Sequence, residues 1–469
     1  MNLSWKRYLL WFAQEHVDFR FAEITSIIQL LNIPIKWVEE PTPEDPYWIV
    51  QLPSEEAAHL IASRSVSLRC CLELWGRAKD IPTLHESLKK YPFDEMSKYF
   101  QSDISFKIHV ETFCKHFTQK EKVQKIETFS YLPLKGTVQL IDPDVCLHYI
   151  EYYGLNPNDI PEKPLDVFFG RWICDSARYL ISKISLKTRK FIGNTSMDAQ
   201  LSLIMANQAC CKPGDICLDP FVGSGSLLVA AAQFGAYVIG TDIDYMMLHA
   251  RTRPSRITQK KREINEGILL NMKQYHLEHL YLDVLVADFS LPLWRSEFQI
   301  DSIITDPPYG IRESTEKIGI EKDNYELTEE HLQNHVPSKV DYGLSQIYHD
   351  LLSFSAEHLK LNGRLVCWFP VYRDDYSPEI LPENSCLQLI ANSEQILNKY
   401  TSRRLLTYEK VKEFDKNHLD VMKEIPDFRQ KYFAHGDETR KERKAKRAEL
   451  REIGRLESLK RSNNQSDNR

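Results

Sequence analysis

The sequence predicts an α/β protein: an open sheet of strand and helix units in the carboxyl-terminal part, preceded by one or two smaller α/β modules. Three observations carry this. Short apolar runs alternate with stretches of helical spacing, which is the pattern of strand and helix units. Three of those runs lead into an acid, at Asp219, Asp242 and Asp288. A fourth, Ile303-Ile304-Thr305, runs into Asp306-Pro307-Pro308-Tyr309.

Residues 8–12 and 47–52 are rich in aromatic and β-branched types and read as strands, with helical spacing over 23–31 between them. Residues 106–113 and 137–141 read as strands around a helix over 119–129. The passage from this amino-terminal region, 1–165, to the larger domain is expected across a linker at 166–190. Thr195-Ser196-Met197-Asp198 then opens a helix. Thr195 or Ser196 is its expected cap, because a short hydroxyl side chain accepts from the free amides of the first turn.

Ile216-Cys217-Leu218-Asp219 is the first strand of the larger sheet, and it enters Pro220-Phe221-Val222-Gly223-Ser224-Gly225. Gly223 and Gly225 let the backbone approach a ligand closely at the carboxyl end of a strand, and residues 227–232 favour helix. The third glycine of the dinucleotide fingerprint is missing, which argues against a pyrophosphate cofactor. Residues 236–244 form a second strand ending at Asp242-Ile243-Asp244, where an acid can accept from two ribose hydroxyls. Residues 285–289 supply the third, with Asp288 placed to accept from an adenine amino group and Phe289 to pack near the ring. Taken singly, each acid reads as a solvated strand-end residue. Their serial order favours a nucleoside ligand. Residues 301–305 and 364–369 are the fourth and fifth strands, and 386–397 with 403–411 form a final hairpin.

The Asp306 turn fits a particular chemical demand. The lone pair of an exocyclic amine on a nucleobase is delocalised into the ring, so the nitrogen is a poor nucleophile. Asp306 can accept one amino hydrogen and the Pro307 carbonyl the other, which aligns the nitrogen with an incoming methyl group. Pro307 and Pro308 fix their own backbone angles and keep the turn stiff. Tyr309 offers a flat face to an unpaired base, a contact worth roughly 1–3 kcal/mol. The plain alternative is a strand ending in a proline turn with a buried aromatic.

With these parts in this order, the chain resembles the class I S-adenosylmethionine-dependent methyltransferases that modify amino groups of nucleic acids. It is most similar to the catalytic subunits that act on the 2-amino group of guanosine at position ten of tRNA, and the likeness covers nearly the whole chain. Further segments that carry it are Phe169-Gly170-Arg171-Trp172, Phe191-Ile192-Gly193-Asn194 and Thr401-Ser402-Arg403-Arg404. The resemblance implies a Rossmann-like class I methyltransferase domain over 191–435, ferredoxin-like and THUMP RNA-binding modules within 1–165, and a charged tail over 436–469. It implies S-adenosyl-L-methionine as cofactor, held by Thr195, Asp219, Pro220, Phe221, Gly223, Gly225, Asp242, Ile243, Asp288 and Phe289. Thr195 would touch the methionine part, with simple capping as the other reading. Substrate and catalysis would rest on Asp306, Pro307, Pro308 and Tyr309. It further implies tRNA as substrate, cytoplasmic location, and a heterodimer with a small zinc-binding activator subunit that covers an apolar strand edge. Rival readings are a methyltransferase of an adenine amino group in RNA or DNA, or of a glutamine side chain, and a catalytically silent RNA-binding protein. A nucleotide-dependent dehydrogenase is disfavoured by the incomplete glycine pattern.

Composition sets compatible bounds. A chain of 469 residues exceeds a single hydrophobic core, so two or three domains are expected. No apolar run approaches the roughly 20 residues of a membrane span, and the start lacks a cleavable secretory signal. The ten cysteines show no Cys-x-x-Cys spacing, and the pairs Cys70-Cys71 and Cys210-Cys211 suit neither mutual bridging nor zinc. Buried reduced thiols and no protein-bound metal are therefore expected. A net charge of −6 requires that affinity for RNA come from local patches or from a partner. Lys183, Lys187, Arg189 and Lys190 are the preferred RNA-binding candidates, ahead of Arg251, Arg253, Arg256, Lys260, Lys261 and Arg262, which read equally as solvated surface. The polar stretch 311–340 is expected to be a mobile lid over a flipped guanosine, its deletion raising the Michaelis constant for RNA while sparing cofactor affinity. Residues 439–461 read as a solvated, fraying helix and 462–466 as disordered.

Overall fold

Strand β1 (Lys6–Phe12) is buried at every position from Tyr8 onward, because both its faces are covered. Tyr8, Leu10 and Phe12 meet helices Arg20–Leu30 and Glu55–Ala62 on one face, while Leu9 and Trp11 join Tyr47, Ile49 and Phe168 on the other. In the computed structural model, which describes residues 5–256, 258–263, 265–319, 338–415 and 420–434, β1 lies inside the first of two seven-stranded sheets. Its other strands are β2 (Lys36–Trp37), β3 (Tyr47–Leu52), β4 (Leu68–Ala78), β5 (Phe106–Phe113), β6 (Val145–Tyr152) and β7 (Asp166–Asp175), in the order β2-β3-β1-β4-β7-β6-β5.

Two expectations are corrected here. Residues 166–175 are not linker: β7 pairs with β4 on one side and β6 on the other. Its run Val167-Phe168-Phe169 is fully buried, and the Arg171 guanidinium donates to Glu73 at 2.8 and 3.0 Å. Residues 137–141 form no strand beyond a single bridge of Val138 to Phe106. Val138, Leu140 and Ile141 stand 68%, 76% and 84% exposed, an apolar run with no neighbouring row to pair along.

The second sheet holds β8 (Ile216–Asp219), β9 (Tyr237–Asp242), β10 (Tyr281–Val286), β11 (Ile300–Thr305), β14 (Leu359–Tyr372), β15 (Leu387–Ile396) and β16 (Thr401–Lys410), in the order β10-β9-β8-β11-β14-β16-β15. The first five in that order run parallel, and β16 is antiparallel to both its neighbours, so the sheet is mixed. Alternation again divides the faces. Ile304, Val366, Trp368 and Leu405 pack toward helices Ala199–Gln208 and Ser226–Gln233, while Ile303, Leu365, Cys367 and Leu406 pack toward helix Leu344–His358.

Helix Ala199–Gln208 is capped by Asp198, not by Thr195 or Ser196: the Asp198 carboxylate accepts from the amides of Gln200 and Leu201 at 2.9 and 3.2 Å. Only the residue adjoining the first turn reaches those amides. The third strand stops at Val286, which leaves Asp288 and Phe289 in the following turn. Of the stretch 311–340, the described ends form an antiparallel ribbon of β12 (Glu316–Ile318) and β13 (Lys339–Asp341). The expected lid, the charged tail 436–469 and its disordered end otherwise lie outside the described residues.

The two sheets are joined through a polar and aromatic seam. Helix Arg20–Leu30 lies against helix Ala199–Gln208, where Asn207 donates to Glu23 at 2.8 Å and Arg64 donates to Asn207 at 3.2 Å and to the Cys211 carbonyl at 2.7 Å. Arg364 of β14 reaches Gln29 and Ser26 at 2.5 and 3.1 Å while paired with Glu409 at 2.9 Å. The Phe19 ring lies 5.8 Å from that of Trp368.

Candidate active site

Parallel pairing brings the carboxyl ends of β10, β9, β8 and β11 to one rim of the sheet. In that order the rim carries Asp288, Asp242, Asp219 and Asp306, from four segments far apart in sequence. Acidic side chains from four strand ends thus meet at one edge, which suits a cationic ligand. Asp219 is buried, and burial pushes its carboxyl up to about 8, against hydrogen bonds from the Thr305 hydroxyl (2.8 Å) and the Phe221 amide (3.1 Å). The charges of Asp242 and Asp306 push it the same way.

The glycine turn has two distinct duties. Gly223 has φ +49°, and beyond its two chain neighbours no heavy atom lies within 4 Å of where a Cβ would stand, so its backbone faces open space. Gly225 has φ +75°, and a Cβ there would come within 2.7 Å of Ile268, so this glycine serves packing. The Gly223 amide donates to Asp242 at 2.8 Å, and the other Asp242 oxygen accepts from the Asp244 amide at 2.9 Å. The Pro220 carbonyl accepts from the Thr241 hydroxyl at 3.1 Å, and Ile243 is half-buried. The rings of Phe221 and Phe289 lie 5.1 Å apart, giving an apolar wall between the turns after β8 and β10. Asp288 accepts from the Ser290 amide at 2.8 Å and from the Ile318 amide of β12, so the ribbon docks on this acid. Thr195 is exposed and donates to Glu313 at 3.1 Å, across from the segment that follows the Asp306 turn.

At the fourth strand end, one Asp306 oxygen accepts from the Tyr309 hydroxyl and the other from Arg403 at 3.2 Å. Burial raises the Asp306 carboxyl, and Arg403 and the Tyr309 hydrogen bond oppose the shift. Pro307 is buried and Pro308 half-buried. The half-buried Tyr309 ring meets Phe428 edge-on at 6.4 Å, and the Arg429 side chain lies 3.1 Å from where a Gly310 Cβ would stand. Helix Phe428–Ala434 therefore braces the turn from outside.

The family described as Tmrp11 THUMP N-terminal domain matches residues 6–178, and the one described as RMKL-like, methyltransferase domain, matches residues 187–339. Over 442 residues the chain is 48% identical to the tRNA (guanine(10)-N(2))-methyltransferase TRMT11 of Gallus gallus, an alignment spanning 92% of this chain and 96% of that one. The chain belongs to the tRNA (guanine(10)-N(2))-methyltransferase family. Its Homo sapiens relative is 46% identical over 446 residues, 92% of this chain and 96% of that one. The Saccharomyces cerevisiae member is 34% identical over 447 residues, 91% and 99% of the two chains. This methyltransferase thus consists of an amino-terminal THUMP module and a carboxyl-terminal Rossmann-like fold on a mixed sheet.

Within this member of the methyltransferase family, the basic cluster before the sheet divides. Lys183, Lys187 and Lys190 are exposed, but Arg189 is fully buried and donates to the Ser226 hydroxyl and the Ile184 carbonyl, both at 2.7 Å. Its terminal nitrogens are engaged inside the fold, so it cannot serve as a surface contact. Arg256 and Arg262 behave similarly: Arg256 donates to the Leu186 carbonyl at 2.9 Å, and Arg262 pairs with Glu266 at 2.6 Å. Arg403 and Phe428 had no role assigned from sequence. Arg403 lay in a segment noted only for family likeness, and its partner Asp306 is 97 positions away.

Proposed function

We propose that this chain transfers a methyl group from S-adenosyl-L-methionine to the 2-amino group of guanosine at position 10 of tRNA. One observation carries the reading: the Asp306 carboxylate stands on the same sheet rim as the open Gly223 backbone and the acids Asp242 and Asp288. The near full-length likeness to relatives named tRNA (guanine(10)-N(2))-methyltransferase supports the choice of base and RNA. The residues present fit the cofactor, since the space at Gly223 admits a ligand against backbone and the acidic rim suits a cation. When bound, S-adenosylmethionine supplies an electrophilic methyl group carried on a sulfonium. Asp242 and Asp288 offer acceptors for hydroxyl and amino hydrogens, and Phe221 with Phe289 offers an apolar surface for a flat ring. Asp306 and the Pro307 carbonyl take the hydrogens of the target amine, fixing its orientation. The Tyr309 hydroxyl yields its place on Asp306 to that amine and leaves the ring to pack on the base. As the nitrogen gains its methyl, the Asp306 carboxylate offsets the growing positive charge and takes the proton or passes it to water.

The same reading extends to the rest of the molecule. A ferredoxin-like subfold is supported by the all-antiparallel order β2-β3-β1-β4, with helices between β1 and β2 and between β3 and β4. Residues 191–435 form the methyltransferase domain and 436–469 a tail. Lys183, Lys187 and Lys190 contact RNA. A small zinc-binding activator makes a heterodimer along edge strand β10, where Leu282 and Val286 are exposed. The working complex is cytoplasmic.

The test is transfer of labelled methyl to unmodified tRNA by the chain co-expressed with its activator, with the labelled nucleoside identified by mass spectrometry. Labelled 2-methylguanosine that disappears when guanosine 10 is replaced is the expected result. Label on adenosine would redirect the reading to an adenine amino group, and cofactor binding without any transfer would leave a silent RNA-binding protein.

A further inference from the structure

We infer that Arg403 is a positioning residue for the transfer step, holding Asp306 as an oriented carboxylate with one oxygen left for the incoming amine. This deepens the proposed function and rests on it. Arg403 comes from β16, which reaches the rim only because β14 lies between it and β11. Its guanidinium is held on four sides. The guanidinium carbon lies 3.9 Å from the centroid of the Trp368 ring, Nε donates to Gln395 at 2.7 Å, one terminal nitrogen faces the Met197 sulfur at 3.4 Å and the other donates to Asp306 at 3.2 Å. Trp368 is fully buried and backed by Phe19 from the amino-terminal module. A guanidinium so stacked cannot follow a wandering carboxylate; it imposes an orientation on one.

The carboxylate needs such a partner. The Asp306 side chain is only 24% exposed, and a buried anion without a counter-charge takes up a proton and loses its capacity to accept. The charged and titratable groups facing it are Tyr309 from its own turn, Asp219 from β8, Tyr348 from helix Leu344–His358, Cys367 from β14 and Arg403 from β16. Among the described residues, Arg403 is the one cation ion-paired with it. By binding one oxygen, Arg403 leaves the other to the Tyr309 hydroxyl, whose place the amine of the base takes. His16, from the amino-terminal module, lies within electrostatic reach of Arg403.

The experiment measures single-turnover methyl transfer against pH, with saturating cofactor and tRNA, for the full chain with its activator and for Arg403→Gln and Arg403→Lys. Cofactor affinity is read in parallel by calorimetry. Arg403→Gln is expected to slow transfer about a hundredfold, and to move the acidic limb of the profile up by about one to three pH units. Cofactor affinity should hold within about twofold, a change too small to register as a lost contact. Arg403→Lys keeps the charge but not the fork. It should return the limb toward its original position while the rate stays depressed, which also covers the case in which the glutamine variant does not fold. An acidic limb that stays put in both variants, or loss of cofactor affinity in step with rate, overturns the inference. No guanosine methylation by the unaltered complex would instead overturn the function on which it rests.

Discussion

At the residue scale, Asp306 and Asp219 are both carboxyl groups raised by burial, yet their surroundings separate them. Asp306 is opposed by a guanidinium, while Asp219 has hydrogen bonds only and two acidic neighbours. Asp306→Asn should lower turnover by about 10²–10⁴-fold while cofactor affinity survives, since an amide cannot offset the charge growing on nitrogen. Retention of most activity would refute the role. Asp219 holds its proton in the folded state up to about 8, against an ordinary value of 3.8. Its contribution to stability is therefore complete below that ordinary value and is lost as pH rises toward 8. In thermal melts of the ligand-free protein, Asp219→Asn should gain on the unaltered chain as pH rises through this window; parallel curves would refute the assignment. The Asp306 turn was readable because all four of its residues adjoin. Arg403 was not, because nothing near it in sequence marks its partner.

At the scale of elements, local pattern located β1, β3, β5, β8, β11, β15 and β16 to within a few residues, since a strand's apolar alternation is written in the strand itself. The misses share a cause. Residues 137–141 have the pattern of a strand but no row to pair with, and β7 has both rows in a stretch expected to be linker. The cap of helix Ala199–Gln208 turned on reach rather than residue type, and Asp198 won over Thr195 by adjoining the first turn. Asp198→Ala should cost about 1 kcal/mol in urea unfolding. Thr195→Ala should cost no more than a few tenths, as an exposed surface change does. The reverse order would return the cap to Thr195.

At the scale of the molecule, the two sheets share the side chains that set their relation. Arg364 spans both, its guanidinium 3% exposed and bonded to Glu409, Gln29 and Ser26. Arg364→Met leaves a partly buried carboxylate without its cation and should cost about 3–5 kcal/mol. It should also speed proteolysis between 176 and 190, where chain passes from one sheet to the other; an unchanged unfolding midpoint would show that the seam is held elsewhere. The stack Phe19–Trp368–Arg403 runs through the same seam to Asp306, so the module that carries the THUMP match also supports the acid at the rim.

The sequence by itself determined β1, β3 and β5 of the first sheet, most strands of the second, the glycine turn and the Asp306-Pro307-Pro308-Tyr309 corner, because propensity, backbone freedom and turn chemistry act over a few neighbouring residues. Only the tertiary structure decided which acids share a rim, that Arg189 is interior, that β12 sits on Asp288 and that Arg403 grips Asp306. Each of those depends on strand order and burial, which arise from contacts between segments tens to hundreds of residues apart and leave no mark on either segment alone.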